Sequence, residues 1–210
     1  MTPLQIREKI LTDDAFVLAE VDRLQYLYSL QNIIRSALVR PETVKTESVA
    51  EHIFRMTVLI SYFAKLEDLE TKLDMSKVAQ LTTWHDIDEI ETGDVVGFLK
   101  TDADRAKEKG ALAKVISQSP ELIQQEISNS ISVYKAQQTL EARFVKAIDK
   151  IDPVIYFLNE NGKQVFTISP ATKAQHCNIK EPYFIGFPYI SRFHTATLTI
   201  FEKRGFFSDC

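Results

Sequence analysis

One apolar segment limits the fold more than any other feature of the chain. Residues 49–66 read VAEHIFRMTVLISYFAKL, and their apolar side chains cover most of the circumference of a helix. A helix of this kind is normally buried, so we expect it to lie at the centre of the fold. Ser48 stands directly before it and Glu51 follows three residues later, which is the spacing of a capping box and predicts the start of the helix.

Apolar residues recur at helical spacing along most of the remaining chain, and Gly and Pro are scarce, with 6 and 7 copies. The predicted helices cover residues 14–39, 49–65, 74–90 (opened by Asp74 or Ser76), 102–117, 119–136, 139–161 and about 188–204. Predicted loops cover 40–48 and 91–104, and Pro153 is expected to kink or end its helix. The pattern loosens after residue 162. We therefore expect one all-α domain with a less regular C-terminal segment.

Composition excludes several classes of protein. The hydrophobic and charged fractions, 45% and 26%, are those of an ordinary globular protein, and the net charge of −4 does not suggest a nucleic-acid partner. No apolar run approaches the roughly 18 residues that a membrane span needs. The N-terminus lacks a signal-peptide pattern, and Cys177 and Cys210 show no metal or redox spacing. We expect a cytoplasmic protein with reduced thiols and no membrane partner.

Two of the four histidines lie on predicted buried helices and have acidic neighbours. His52 shares a helix face with Met56 and Phe63, and His85 shares one with Leu81 and, one turn later, Glu89. Polar groups are costly in such places unless they are paired or bind a metal.

Together with two aspartates, these histidines form a mixed nitrogen and oxygen set, namely His52, His85, Asp86 and Asp149. Such sets suit borderline divalent metals, and a bound metal acidifies water and screens phosphate charge. Taken singly, each residue has a structural explanation: a surface His-Asp pair, a core histidine bonded to a carbonyl, or an ion pair of Asp149 with Lys146 or Lys150. Their joint occurrence in this order on three predicted helices favours a metal site.

The motifs TESVAEH (46–52), HD (85–86), E…TGD (89–94) and FVKAIDK (144–150) resemble those of the HD-domain phosphohydrolases. The resemblance is closest to the bacterial HD-domain 5'-deoxyribonucleotidases and covers residues of about 20 to 160. It implies a single HD-domain helical bundle over residues 1–210, with a core at about 20–160 and a C-terminal wrap at about 163–210. It also implies a homodimer and one divalent metal ion (Co, Mn, Fe, Zn or Mg).

The resemblance carries metal-binding and catalytic roles onto specific residues. His52, His85, Asp86 and Asp149 would be the metal ligands. Glu89 would lie beside the attacking water as a general acid/base, so Glu89 and Asp86 are the predicted catalytic residues. Lys146 and Glu89, one turn from Asp149 and His85 respectively, point toward the same centre.

Substrate contacts are carried over in the same way. Arg35 would sit over the phosphate, with Lys100 and Lys146 near it, and Asp94 would reach the sugar hydroxyl. Arg and Lys are the donors that phosphate recognition requires. Ser36 occupies the position where the nucleotidases usually have a tryptophan, so the contacts with the base differ from theirs.

Three functions are compatible with this sequence. The first is removal of phosphate from deoxyribonucleoside 5'-monophosphates, and the second is a dNTP triphosphohydrolase, possible because Arg40 and Lys45 add further cations. The third is a metal- and nucleotide-binding module without turnover. Two-metal HD phosphodiesterases are disfavoured because residues 87–148 contain no histidine, and alarmone hydrolases because Asp88-Glu89 reverses their Glu-Asp order.

Overall fold

The fold is a bundle of helices with one small hairpin, and the expected all-α class is confirmed. The computed structural model describes residues 1–39, 46–94, 101–158, 162–168 and 170–208. Its helices are α1 Pro3–Thr12, α2 Asp14–Tyr28, α3 Val49–Leu66, α4 Met75–Trp84, α5 Glu89–Thr92, α6 Asp102–Gln118, α7 Glu121–Ala136, α8 Leu140–Tyr156, α9 Gly162–Ile168, α10 Lys173–Lys180 and α11 Pro188–Lys203. Strands β1 Ile34–Val39 and β2 Thr46–Ser48 form the hairpin, and 3-10 turns cover Ser29–Asn32 and Glu181–Phe184. None of the described helices is long and apolar enough to cross a membrane.

Helix α3 begins where the sequence predicts. The Ser48 hydroxyl accepts a hydrogen bond from the Glu51 backbone N–H, and the Glu51 carboxylate accepts one from the Ser48 N–H at 2.8 Å. The helix packs against α4, α8 and α11. Its burial is less complete than expected, because Phe54, Val58 and Tyr62 are each more than half exposed along one face.

Helix α8 is the second central element. Its sequence places apolar residues on most of its surface, and it packs against α3, α4, α7 and α11. The larger core cluster forms around these helices, while a smaller one joins the end of α2 to α6 and α7. Two of the buried residues on α8 are the carboxylates Asp149 and Asp152. The packing therefore brings acidic groups into the interior of the bundle, beside α3.

The predicted helix over 14–39 is wrong after Tyr28. Helix α2 ends at Tyr28, a 3-10 turn follows, and β1 pairs antiparallel with β2, with Ile34 opposite Ser48. The predicted loop over 40–48 is likewise a strand from Thr46 onward. A hairpin partner supplies ladder hydrogen bonds that the helical spacing of one segment does not reveal.

The predicted helix over 74–90 is interrupted at the residues of the HD motif. Asp74 caps α4 as expected, its carboxylate accepting from the N–H groups of Ser76 and Lys77, but α4 ends at Trp84. Residues 85–88 form a turn before α5. The Thr82 carbonyl near the end of α4 accepts from the imidazole of His85, which satisfies one of the acceptors that every helix end leaves open.

The C-terminal segment is more regular than its sequence suggested. Gly162 begins α9 instead of ending the preceding helix, which stops at Tyr156. Helix α10 opens with a capping box between Thr172 and Gln175. Helices as short as these are too brief to display a sustained apolar period.

Candidate metal centre and active site

Two histidines and an aspartate from the HD motifs converge between α3 and the end of α4. In the described part of the chain, His52, His85 and Asp86 each offer a ligand atom within 4.8 Å of those of the other two. Oδ2 of Asp86 lies 3.0 Å from Nε2 of His85 and 4.0 Å from Nε2 of His52. Both imidazoles are buried, with exposures of 0% and 3%.

Hydrogen bonds fix the tautomer of both rings. Nδ1 of His52 lies 2.7 Å from Oδ2 of Asp152, and Nδ1 of His85 lies 2.9 Å from the carbonyl oxygen of Thr82. Because these oxygens can only accept, each Nδ1 carries a proton, so the lone pair of the neutral form of each ring lies at Nε2. Neither buried Nε2 atom has a hydrogen-bond partner among the described residues. Two buried lone pairs that face ionised carboxylates fit a divalent cation.

Asp149, the fourth predicted ligand, lies on the other side of His52. Its Oδ1 is 3.5 Å from Nε2 of His52. Its Oδ2 accepts a hydrogen bond from the hydroxyl of Tyr134 at 2.8 Å and meets the ammonium groups of Lys146 and Lys150 at 3.2 and 3.1 Å. Oδ2 is thus occupied by the protein, whereas Oδ1 faces the histidine.

Both aspartates of the predicted ligand set are ionised. Burial raises the pKa of Asp149, but the cations of Lys150 and Lys146 outweigh it and hold that pKa well below its usual value. Burial likewise raises the pKa of Asp86, and the adjacent His85 lowers it by more. Carboxylates that stay charged in a buried site can neutralise a divalent cation.

Asp152, which the sequence analysis did not single out, lies directly behind His52. Besides His52, it accepts from Nε of Arg55 at 2.9 Å, and Arg55 also pairs with the buried Glu47. These contacts form a series that runs from Glu47 through Arg55 and Asp152 to His52. It orients the imidazole from its Nδ1 side. A signal was available, because Asp152 follows Asp149 by three residues and so shares its helix face.

A cavity of about 390 Å³ opens beside this centre. Its walls include Asp86, Glu89, Lys146, Tyr134 and Tyr183. Glu89 is 7% exposed and begins α5, immediately after the turn that carries His85 and Asp86. Two interpretations of Lys146 were drawn from the sequence, an ion pair with Asp149 and a place near the substrate. In the structure Lys146 pairs with Asp149 and also lines the cavity.

Arg35 lies on β1, within electrostatic reach of the acidic groups. Burial lowers its pKa, but Asp86 and Asp94 raise it by more, so the guanidinium stays charged. The other predicted substrate contacts are less informative. Lys100 lies outside the described residues, and the side chain of Ser36, the residue after Arg35 on β1, is also outside them.

A further cation near the centre comes from the C-terminal segment. Lys180, on α10, donates from Nζ to the carbonyl of Lys150 at 2.8 Å. Burial and the neighbouring charge of Lys150 lower its pKa to about 7, although Asp149 acts in the opposite direction. Nothing in the sequence near Lys180 carries a recognisable motif, so sequence reasoning had no means of finding it.

The family described as "HD domain" matches residues 27–188. The chain belongs to the HD-domain family. The resemblance to the HD-domain family drawn from the motifs is thereby confirmed.

Curated relatives of this HD-domain protein carry one common name. The chain is 29% identical over 132 residues to "5'-deoxynucleotidase HDDC2" of Xenopus laevis, over 61% of this chain and 63% of that relative. It is 26% identical over 165 residues to the protein of the same name from Bos taurus, over 74% and 78% of the two chains. The match thus spans less than two thirds of the length of the frog relative.

The fold of this HD-domain protein also resembles a solved structure. That structure is a predicted metal-dependent phosphohydrolase from Magnetospirillum magnetotacticum MS-1, with a TM-score of 0.77 and 24% identity. The likeness covers 92% of this chain and 98% of the other. At this identity it shows that the two proteins share a fold.

Proposed function

We propose that this protein hydrolyses deoxyribonucleoside 5'-monophosphates to deoxynucleosides and phosphate. The observation that carries the proposal is the convergence of two buried Nε2 lone pairs and ionised carboxylates beside a cavity lined by Glu89 and Lys146. The name of the curated relatives supports the choice of substrate. The cavity volume falls in the range typical of small-molecule sites.

The residues that would hold the metal ion are His52, His85, Asp86 and Asp149. A divalent cation bound by them supplies positive charge for the phosphate oxygens and makes water more acidic. Imidazole and carboxylate ligands suit Mn, Co, Fe or Zn. Mg is a further candidate for the metal ion. Asp152 keeps the His52 lone pair directed toward this position through its hydrogen bond to Nδ1.

Glu89 is the proposed general base. Its carboxylate accepts a proton as water attacks phosphorus and forms the new P–O bond. The bond between phosphorus and the 5'-oxygen breaks, and the proton held by Glu89 passes to that oxygen. One water molecule is consumed, and a deoxynucleoside and phosphate are released. Asp86 acts as a ligand and fixes the geometry beside Glu89.

Cationic residues are proposed to hold the phosphate. Arg35 offers a planar, permanently charged fork, which matches phosphate oxygens, and Lys146 adds a charge from the cavity wall. Lys100 is proposed as a third donor. Asp94, which interacts electrostatically with Arg35, would accept a hydrogen bond from the sugar hydroxyl.

Metal reconstitution tests this function directly. The protein is stripped with a chelator and then supplied with Mn, Co, Fe, Mg or Zn, one at a time. Each preparation is offered dNMPs, NMPs and dNTPs, and chromatography separates phosphate from triphosphate. Phosphate from dNMPs, with dNTPs left intact, is the expected result. Triphosphate from a dNTP would instead establish a triphosphohydrolase, and metal binding without any product would indicate a binding module.

The homodimer implied by the family resemblance is proposed as the assembly of the protein. Sedimentation velocity at several protein concentrations distinguishes a dimer from a monomer. A single species with the mass of one chain at every concentration would exclude the dimer.

A further inference from the structure

Tyr183 differs from the other tyrosine that lines the cavity. Tyr134 is 5% exposed, and its hydroxyl is engaged with Asp149 and Lys146. Tyr183 is 37% exposed, and its ring forms part of the cavity wall. Of the two, Tyr183 is therefore the ring that a molecule in the cavity can reach.

The segment that carries Tyr183 packs against α8, the helix of Lys146 and Asp149. Tyr183 belongs to the 3-10 turn Glu181–Phe184, which packs against α8. On one side of it, Phe184 is 2% exposed and contacts the ring of His194 at a centroid distance of 5.0 Å. On the other side, Lys180 hydrogen-bonds to the carbonyl of Lys150, the residue after Asp149. These anchors hold the segment that carries Tyr183 against α8, beside the metal centre.

The ring lies beside the cations of the site. The ammonium groups of Lys146 and Lys150 are 5.8 and 5.9 Å from its centroid, within the distance of a cation–π contact. A cationic patch beside an exposed aromatic face is complementary to a molecule that joins a phosphate to a flat ring. A nucleotide is such a molecule, because its base stacks readily on aromatic side chains.

We propose that Tyr183, delivered by the C-terminal segment, forms the nucleobase subsite of the active site. The inference rests on the proposed function and deepens it. The segment after residue 163 then contributes a substrate-binding residue to the site. Because stacking depends on the ring and not on donors or acceptors of one base, this subsite favours nucleotides over base-free phosphomonoesters without selecting one base.

A pair of substrates that differ only in the base tests the subsite. Wild-type protein is assayed with a dNMP and with 2-deoxyribose 5-phosphate, which has the same sugar and phosphate. Tyr183→Ala should raise KM for the dNMP about tenfold, in the range that loss of an aromatic–base contact costs, and leave the base-free substrate unchanged. Tyr183→Phe keeps the ring and should restore the preference for the dNMP over the base-free substrate.

Tyr189→Ala is the matched control. Tyr189 is 49% exposed on α11 and does not line this cavity. Its replacement should leave both KM values unaltered. An unchanged preference for the dNMP in Tyr183→Ala, or an equal loss for both substrates, would overturn the nucleobase subsite.

Binding without turnover separates this inference from the proposed function. Calorimetry measures the affinity of wild type and of Tyr183→Ala for a deoxynucleoside and, separately, for inorganic phosphate. If wild type hydrolyses no deoxynucleotide, the proposed function fails, but the titration still decides the subsite. The subsite is supported if Tyr183→Ala binds the deoxynucleoside more weakly than wild type does and binds phosphate equally well. It is refuted if both proteins bind the deoxynucleoside equally, or if wild type does not bind it.

Discussion

Nδ1 of His52 lies 2.7 Å from Oδ2 of Asp152, a contact that joins α3 to α8 across 100 residues of sequence. It places a proton on Nδ1 of the central imidazole and leaves Nε2 facing Asp149 and Asp86. Arg55 holds the same aspartate in place through two hydrogen bonds. The orientation of His52 thus depends on a residue outside the predicted ligand set.

Asp152→Asn should weaken metal binding without removing a ligand. The amide oxygen can still accept from His52, but the loss of negative charge makes the imidazole a poorer ligand and leaves Arg55 with one charged partner fewer. Such changes typically cost about 10- to 100-fold in metal affinity. Competition with a metal-binding dye measures the loss independently of catalysis.

Asp68→Asn is the control for this variant, because Asp68 is an exposed carboxylate that pairs with Lys72. It should bind the metal as wild type does. Equal affinity in Asp152→Asn and wild type would show that the carboxylate behind His52 has no influence on the metal.

Two neighbouring carboxylates should separate metal binding from catalysis. Asp86→Ala should abolish both, because it removes a ligand, whereas Glu89→Ala should keep the metal and lose rate. Thermal unfolding with and without Mn²⁺ reports binding, since a ligand at 100 times its Kd stabilises the folded state by about 2.7 kcal/mol. Turnover by Glu89→Ala at the wild-type rate would exclude Glu89 as the general base.

Local sequence signals predicted which helices carry the candidate site, because its predicted ligands lie on, or directly after, well-formed helices. The capping box at Ser48 placed the start of α3, and with it the position of His52 one turn later. Helical spacing put Lys146 on the face of Asp149, where the two side chains meet at 3.2 Å. Such relations extend over three or four residues, so a single segment contains all the information they need.

Contacts between segments that are distant in the sequence could not be predicted from local spacing. Ile34–Val39 is a strand because of its partner in Thr46–Ser48, and not because of its own pattern. Lys180 and Tyr183 reach the site only because their segment packs on α8. Asp152 was accessible in principle, but its role depends on His52 lying opposite to it in the bundle.

Arg35→Lys should impair phosphate binding although it retains the charge. Lysine presents a single ammonium in place of the planar fork, and loss of a hydrogen bond to a charged group costs about 1.5–3 kcal/mol. We expect KM for a dNMP to rise about tenfold or more, with a matching loss of inhibition by inorganic phosphate. Arg23→Lys, at a partly exposed arginine paired with Glu20, provides the control. Unaltered inhibition by phosphate in Arg35→Lys would place Arg35 outside the phosphate site.

A buried pair of histidines, one on α10 and one on α11, lies within the C-terminal segment and outside the metal centre. The rings of His176 and His194 stack at a centroid distance of 5.5 Å and an angle of 7°, with exposures of 8% and 1%. Burial, assisted by the charge of Lys180, lowers the pKa of His176 to about 3 and that of His194 to about 4. His194 also lowers the pKa of His176, whereas Glu181 raises that of His194 without restoring it. Both rings are therefore neutral in the folded protein at neutral pH.

This pair should make the protein sensitive to mild acid. Below the ordinary histidine pKa of 6.5, the unfolded chain binds protons that the folded chain does not bind until the pH reaches about 4 and then about 3. The contribution of the two neutral histidines to the free energy of unfolding is therefore fully present above pH 6.5. It is lost as the pH is lowered through this range. Urea unfolding at about pH 7 and about pH 5, with chelator present so that metal release does not contribute, measures the fall. In a His176→Leu, His194→Leu double variant the fall should be smaller, because the remaining titrating groups are shared with wild type. An equal fall in both proteins would mean that the stacked pair does not control acid stability.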